Sequence, residues 1–378
     1  MTVSSADPIP VRPRYVLALD GVRGLAILAV MAFHLYSPAG SWTTRVTAYG
    51  ALGVNLFFAL SGFLITGILL DAKGSVGYFK NFYARRALRI WPLYYATLFV
   101  LLLVIPAVHP VHDDKYLFSI QHQASLWLYL NNFYEAYIGR AIPLFGHFWS
   151  LAVEEQFYLV WPFLVLVLSR RSLQWLCVAC IIESLLARFG LVDRGMDPAI
   201  ALRITFCALD SLAVGAAIAV LRRDAVTLQR LRVPGLLGFA AAALCTVAQF
   251  LSPRVERSAF GFAISGTIWS FAFGGVLIAA LGAYGQRWTR LFEIRSLRFL
   301  GKYSYGIYVF HWPIGRAFTG AFPTVAHTHS VGVALMFAVV QMAAAVGVAF
   351  ISWHLFEQRF LALKRFFHTS RSDFVGRG

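Results

Sequence analysis

Charge is what this chain most lacks. Asp, Glu, Lys and Arg make up 13% of its 378 residues, against about 25% in soluble domains. Carboxylates are scarcest, 17 against 33 Lys and Arg. So little polar surface cannot cover a soluble body of this size, which excludes an ordinary two- or three-domain soluble enzyme. The four cysteines, at 177, 180, 207 and 245, all lie in apolar stretches. The one C-x-x-C, in LQWLCVACII, reads as small helix-packing residues rather than a metal or redox site. No G-x-x-x-x-G-K-[ST] occurs, which argues against a nucleotide-hydrolysing engine, and no G-x-S-x-G elbow occurs. Neither H-E-x-x-H nor a paired H-x-x-x-H is present. His109, His112, His122 and His147 are scattered over one loop, so no metal site is expected. The charged helices show no inverted duplication.

What is abundant is apolar: 59% of residues are hydrophobic, and the mean hydropathy is +0.68. Runs of membrane-spanning length, about 20 residues each, fall near 18–36, 51–70, 90–108, 147–168, 174–190, 203–221, 234–251, 260–284, 299–318 and 331–357. The aromatic, amphipathic stretch 121–136 is expected to lie in the outer interface. With both termini cytoplasmic, 23 of the 33 basic residues fall in inner segments and 9, among them Arg188, Arg194 and Arg203, in outer ones. That bias fits the positive-inside rule better than it fits nucleic-acid binding. Asp20 and Arg23 interrupt the first run, and its removal would leave an odd number of spans, so it is read as a retained helix. The expected fold is all-α: a polytopic transmembrane bundle of about ten spans. A cytoplasmic tail occupies 1–15, the membrane domain 16–358 and a basic cytoplasmic tail 359–378. The longest polar connection, 109–146, is too short for a soluble domain, and none is expected before or after the bundle.

Ionisable side chains within spans cost at least ~2.5 kcal/mol each by insertion scales, so each needs a reason. In LDGVRGLAILAVMAFHL, Asp20 and Arg23 are three apart and can pair on a helix. Arg23 and His34 are eleven apart, about three turns, so they share a face about 16 Å apart along the axis. In HFWSLAVEEQFYLVWP, Glu154 and Glu155 are adjacent and therefore about 100° apart around the helix, so they face different neighbours. KYSYGIYVFHWP places His311 in the outer half of its span. His34, a glutamate and His311 thus fall at comparable depth on three helices, which suggests a membrane-embedded acid/base site open to the outside. At the other face, FKNFYARRALRIWPLYY clusters Arg85, Arg86 and Arg89 within one turn. That is a plausible phosphate clamp or an anchor for anionic membrane lipid. Ser61, flanked by glycines in GVNLFFALSGFLITG, suits close helix packing.

Five blocks in order, LDGVRGLAILAVMAFHL, GVNLFFALSGFLIT, FYARRALRIWPLYY, FWSLAVEEQFYLVWP and YSYGIYVFHWP, resemble the acyltransferase-3 family of bacterial integral-membrane acyltransferases across nearly the whole chain. The resemblance implies about ten core spans in the bacterial cytoplasmic (inner) membrane. It implies O-acyl transfer, usually acetyl from cytosolic acetyl-CoA as co-substrate with no permanently bound cofactor, to a hydroxyl of an envelope glycan, free or lipid-linked. His34 would be the central catalytic residue and Arg23 its motif partner. Arg86 and Arg89 fall in the arginine motif and Glu154 in the acidic one. Ser61, Tyr305 and Asp210, in three further blocks, complete the expected substrate-binding set with Arg85. Two departures show: CALDSLAVG carries Ala208 where the family has Arg two residues before Asp210, and FEQRF carries Arg359 where Pro is usual after Glu357.

The expected chemistry assigns His34 as the base for the acceptor hydroxyl or as a transient acyl carrier. Glu154, with Glu155 in reserve, would orient its ring as the acid of a triad does, and His311 would donate to the oxyanion. Acylation of a small molecule such as a macrolide is an alternative. A proton-coupled transporter or flippase, a different class, also uses ionisable residues at mid-depth, but the missing internal repeat counts against it. Nucleic acid is not an expected partner, and the oligomeric state is left open.

Overall fold

The computed structural model describes residues 16–367 except 37, 39, 40, 110, 224–228 and 253–257. The expected tail 1–15 and the end of the basic tail lie outside the described residues. Ten long helices form the body: α1 (Leu17–Leu35), α2 (Gly53–Ala72), α3 (Tyr78–Phe99), α4 (Trp149–Val167), α5 (Arg170–Asp193), α6 (Thr205–Leu221), α7 (Arg232–Leu251), α8 (Ala259–Ala280), α9 (Arg295–Ala321) and α10 (Val331–Ser352). Among the described residues no strand occurs, and eight helical segments are long and apolar enough to cross a bilayer. Each of the ten expected runs falls on one of these helices. Two do not meet that criterion: α6 has only 17 residues, and α9, with 27 residues, begins with Arg295, Arg298 and Lys302. This is a multi-pass helical membrane protein.

Local signals set several ends. The side chains of Ser169, Ser258 and Ser330 accept hydrogen bonds from the free N–H groups opening α5, α8 and α10. Gly77, at φ +75°, turns the chain into α3 in a conformation that L side chains avoid. Pro92, Pro162 and Pro313 sit inside α3, α4 and α9, where neighbouring helices compensate for the lost N–H.

The stretch 121–136 does not span, as expected, but neither does it simply lie flat. It forms short helices at Asp114–Gln121, Ala124–Trp127 and Asn131–Ile138, and Asn131, Asn132 and Glu135 are fully buried. The Tyr94 hydroxyl donates to the Leu126 carbonyl at 2.8 Å, and the Gln156 amide donates to the Tyr129 carbonyl at 2.8 Å. Buried Glu135 pairs with Arg203, so a segment read as interfacial is tied into the bundle by polar bonds.

Glycines decide which helices meet most closely. A Cβ on Gly24 or Gly301 would collide with the backbone carbonyls of Leu297 and Asp20, so α1 and the start of α9 touch main chain to main chain, and one on Gly21 would meet the Phe292 carbonyl in the short helix just before α9. Gly62 against Leu212 and Gly215 against Ala59 do the same for α2 and α6. In lipid, where apolar helices gain little from mutual burial, such approaches maximise dispersion contact and are the usual basis of tight pairing.

We expect Gly301→Val to lower stability by at least ~2 kcal/mol, since rigid backbone leaves no room to repack. Gly67→Ala, with nothing within 4 Å of the added carbon, should be neutral or mildly stabilising. Thermal melts of both variants in detergent check this.

Candidate active site

Of the expected acid/base residues, His34 and His311 come together at one end of the bundle, and the glutamates do not join them. His34, one residue from the end of α1, lies 3.0 Å from His311 of α9, Nδ1 to Nε2. The other ring nitrogen of His311, Nδ1, lies 2.6 Å from the Tyr308 carbonyl. A carbonyl can only accept, so His311 carries a proton on Nδ1, and as a neutral ring it presents a bare Nε2. His34 must then donate from its own Nδ1, which leaves its Nε2 lone pair available. This replaces the expected role of His311 as an oxyanion donor: its one N–H is already committed to the backbone, and what it offers His34 is an acceptor. The edge of Trp312 closes on the His34 ring at 4.8 Å between centroids.

A third imidazole belongs to this cluster. His147, grouped by sequence with the scattered loop histidines, is 2% exposed, and its ring centroid lies 5.0 Å from that of His311. It donates from Nε2 to the Val309 carbonyl at 3.3 Å. Its position immediately before the FWSLAVEEQFYLVWP block was the only hint available.

Glu154 is elsewhere. Its Oε1 accepts from the Ser61 hydroxyl at 2.6 Å, and the Tyr158 hydroxyl donates to Ser61 at 3.2 Å. The expected histidine–carboxylate pairing is therefore not formed. Because α4 runs away from the histidine end, Glu154 sits about 6 Å along the helix beyond Ser150, at 1.5 Å per residue. Ser61, expected to serve helix packing, instead fixes this carboxylate, while neighbouring Gly62 makes the close contact. Glu155 points to another side, as the 100° step requires, and accepts from the Trp91 indole at 3.1 Å.

Three cavities lie in sequence along α1 and α9. At the basic end a mouth of about 890 Å³ is lined by Arg23, Arg85, Arg86, Arg89, Arg295, Arg298, Lys302 and Lys364, with Asp20 the one acidic neighbour. Arg23 pairs with Asp20 at 3.0 Å, as the i, i+3 spacing suggested. Arg85 also donates to the Lys364 and Phe367 carbonyls, at 3.2 and 2.7 Å, so part of its role is to hold the segment after α10. Arg23, Arg86 and Arg89 continue into a slot of about 110 Å³, joined there by Ser61, Glu154, Tyr158, Tyr305, Ser150 and Tyr308. The Arg86 guanidinium stands 5.5 Å from the Tyr158 ring centre, and that of Arg89 5.3 Å from Trp353, within cation–π range. Tyr305 donates to the Ile90 carbonyl at 2.6 Å. At the far end an outer cavity of about 700 Å³ holds His34, Trp312, Tyr116, Asp113, Lys115, Arg316 and His327.

A family model described as an acyltransferase domain matches residues 16–355. The chain belongs to the acyltransferase-3 family. Among its curated relatives, the peptidoglycan O-acetyltransferase OatA of Listeria monocytogenes is 29% identical over 323 residues, which covers 80% of this chain and 49% of the relative. The O-acetyltransferase OatA of Staphylococcus aureus is 25% identical over 332 residues, covering 80% and 51%. The chain thus spans about half the length of the curated relatives it matches. No solved structure matches it.

Two residues stand elsewhere than the sequence reading placed them: Asp210, from a family block, and Arg188, from the count of basic residues. Asp210 lines none of the three cavities; it is fully buried and forms an ion pair with Arg188 at 2.6 Å. Arg188 is not in an outer segment either, but sits inside α5 with no exposed surface. Its guanidinium also donates to Thr267 at 2.7 Å, so one cation knits α5, α6 and α8. Position 208, where the resemblance implied an arginine, is Ala, and Arg188 brings a guanidinium to Asp210 from the preceding helix. No local pattern shows this, because the partners are 22 residues apart on different helices.

Removing one member of a buried pair strands the other charge, at about 3–5 kcal/mol, whereas replacing both can be neutral. Arg188→Leu should therefore unfold or strongly destabilise the protein, and Arg188→Leu with Asp210→Leu should recover most of the loss. Melting temperatures in detergent read this directly. A double variant as unstable as the single would give the pair another role.

Proposed function

We propose that this chain is an O-acyltransferase that moves an acetyl group from cytosolic acetyl-CoA to a hydroxyl of a cell-envelope glycan across the bacterial inner membrane. The observation that carries this reading is the end-to-end arrangement of a strongly basic mouth and a histidine-bearing cavity along the same two helices. The names of its relatives support a peptidoglycan-type acceptor. On this reading the basic end faces the cytoplasm, in accord with the positive-inside bias.

CoA brings several phosphate charges, which eight basic side chains in a cleft would draw in and hold. The thioester arm then enters the slot past Arg86, Arg89 and Glu154. At the other side His34 Nε2 takes the proton of the acceptor hydroxyl as its oxygen attacks the acyl carbon. The C–O bond forms, the C–S bond breaks, and the CoA thiolate leaves and is protonated. His311 holds His34 in the tautomer with Nε2 free and accepts from Nδ1–H throughout, so it also favours the imidazolium that forms. Its part is that of the orienting acid in a serine-protease triad, filled here by a neutral ring. Arg23, about 16 Å from His34 along α1, belongs to donor binding rather than proton transfer.

Incubation of the purified protein with labelled acetyl-CoA and peptidoglycan oligosaccharides tests the proposal. His34→Ala is expected to reduce transfer at least 100-fold while CoA affinity stays within about twofold of wild type, the range usual for loss of a general base. Transfer at the wild-type rate would remove His34 from the mechanism.

Neutralising Arg86 and Arg89 together, each to Gln, should weaken CoA binding at least tenfold. It should also flatten the dependence of affinity on salt, because fewer screened contacts remain. Titrations at two ionic strengths check both points, and unchanged affinity would return the pair to an anchoring role.

A further inference from the structure

One face of α9 lines the whole route. Ser304 and Tyr305 lie in the slot, Tyr308 at its far end, His311 beneath His34, and Arg316 in the outer cavity. The slot and the outer cavity share no lining residue. The other helices give the slot the same polarity. On α2 and α4, Ser61 and Tyr158 lie nearer the mouth, and Val54, Leu151 and Ser150 lie toward the histidines. The far end is thus walled by apolar side chains except for two hydroxyls, Ser150 and Tyr308.

These hydroxyls share one acceptor. They lie 2.6 Å from each other, and both reach the His147 carbonyl, Tyr308 at 2.8 Å and Ser150 at 3.2 Å. Two protons are present, and that carbonyl needs only one of them. The other is used in the hydroxyl–hydroxyl bond and can turn to a ligand with little rearrangement, because either hydroxyl can keep the carbonyl satisfied. A donor of this kind, in a slot that Arg23, Arg86 and Arg89 also line, suits the carbonyl oxygen of a thioester.

We propose that Ser150 and Tyr308 form the carbonyl-binding station for the donor thioester, a catalytic pair that steadies the negative charge on its oxygen as the acyl carbon is attacked. This rests on the acetyl-CoA reading above. When the acceptor oxygen adds, the carbonyl π electrons move onto the oxygen facing Ser150 and Tyr308. When they return, the C–S bond breaks and CoA leaves as thiolate, while the acceptor proton resides on His34. In the structure the packed rings of Tyr308, His147 and His311 stand between this station and His34, so attack requires the Tyr308 ring to give way and admit the acceptor oxygen to the acyl carbon.

The test uses full-length wild type, Tyr308→Phe, Ser150→Ala and the double variant. CoA and acetyl-CoA affinities are measured without acceptor, and acetyl transfer to peptidoglycan oligosaccharides is measured with it. CoA affinity should stay within about twofold of wild type in all variants. Any preference of wild type for acetyl-CoA over CoA should disappear. The kcat should fall about 10- to 100-fold, in the range seen when an oxyanion donor is removed, with KM for acetyl-CoA little changed. The double variant should be no worse than the poorer single, because the two hydroxyls act as one donor. Wild-type turnover and wild-type preference in both single variants would overturn the inference, as would a parallel loss of CoA affinity and melting temperature, which marks a packing role. A wild type that binds no CoA would overturn the donor reading itself, a different result from variants that bind CoA and turn over normally.

Discussion

The site depends on how closely α1 and α9 approach each other. Gly24 and Gly301 let the two backbones touch near the basic end. With the helices pinned there, residues three and four apart on each rise together toward the opposite end. Arg23 and the start of α9 meet at the mouth, and His34 and His311 meet at 3.0 Å beyond the slot. A side chain at Gly24 or Gly301 would move the helices apart by more than a hydrogen bond can stretch. The meeting of His34 and His311 at one end is therefore set by packing at the other.

Buried charge in this molecule falls into two groups with different partners. Arg188 with Asp210 and Arg203 with Glu135 are pairs whose charges are met by each other and by backbone carbonyls. They hold helices and loops in register. Arg86 and Arg89 instead stand over aromatic rings and line two adjoining cavities. A cation on a ring face keeps its in-plane N–H edge for another acceptor. That contrast, rather than the presence of charge in a span, separates structural cations from those available to a ligand.

The histidine pair shows why neutral rings suit a site in this setting. A carboxylate beside His34 would have to be desolvated, at a cost that rises steeply in low dielectric. His311 supplies the same acceptor geometry without charge, and the Tyr308 carbonyl fixes its tautomer. The carboxylate that the motif supplies, Glu154, lies deeper among Ser61, Tyr158 and Arg86, where hydroxyls and a cation surround it.

From sequence alone the membrane character, the positions of the ten helices, the family blocks and the face shared by Arg23 and His34 were all legible. They follow from composition, run length and the 3.6-residue period, which are local properties of a helix in lipid. The basic cluster was legible for the same reason. Which histidine meets which group was not. His34 could be paired with Glu154 or with His311 on depth alone, because depth follows from topology while azimuth depends on how each helix is rotated against its neighbours. Asp210 reads as a substrate residue and Arg188 as part of an outer segment, because a contact between helices leaves no trace in either segment. Ser150, Tyr308 and His147 lay inside or beside recognised blocks, yet only the tertiary structure made them a single polar layer. Helix rotation is settled by glycine contacts and interhelical hydrogen bonds summed over the whole bundle, and no window of sequence contains that sum.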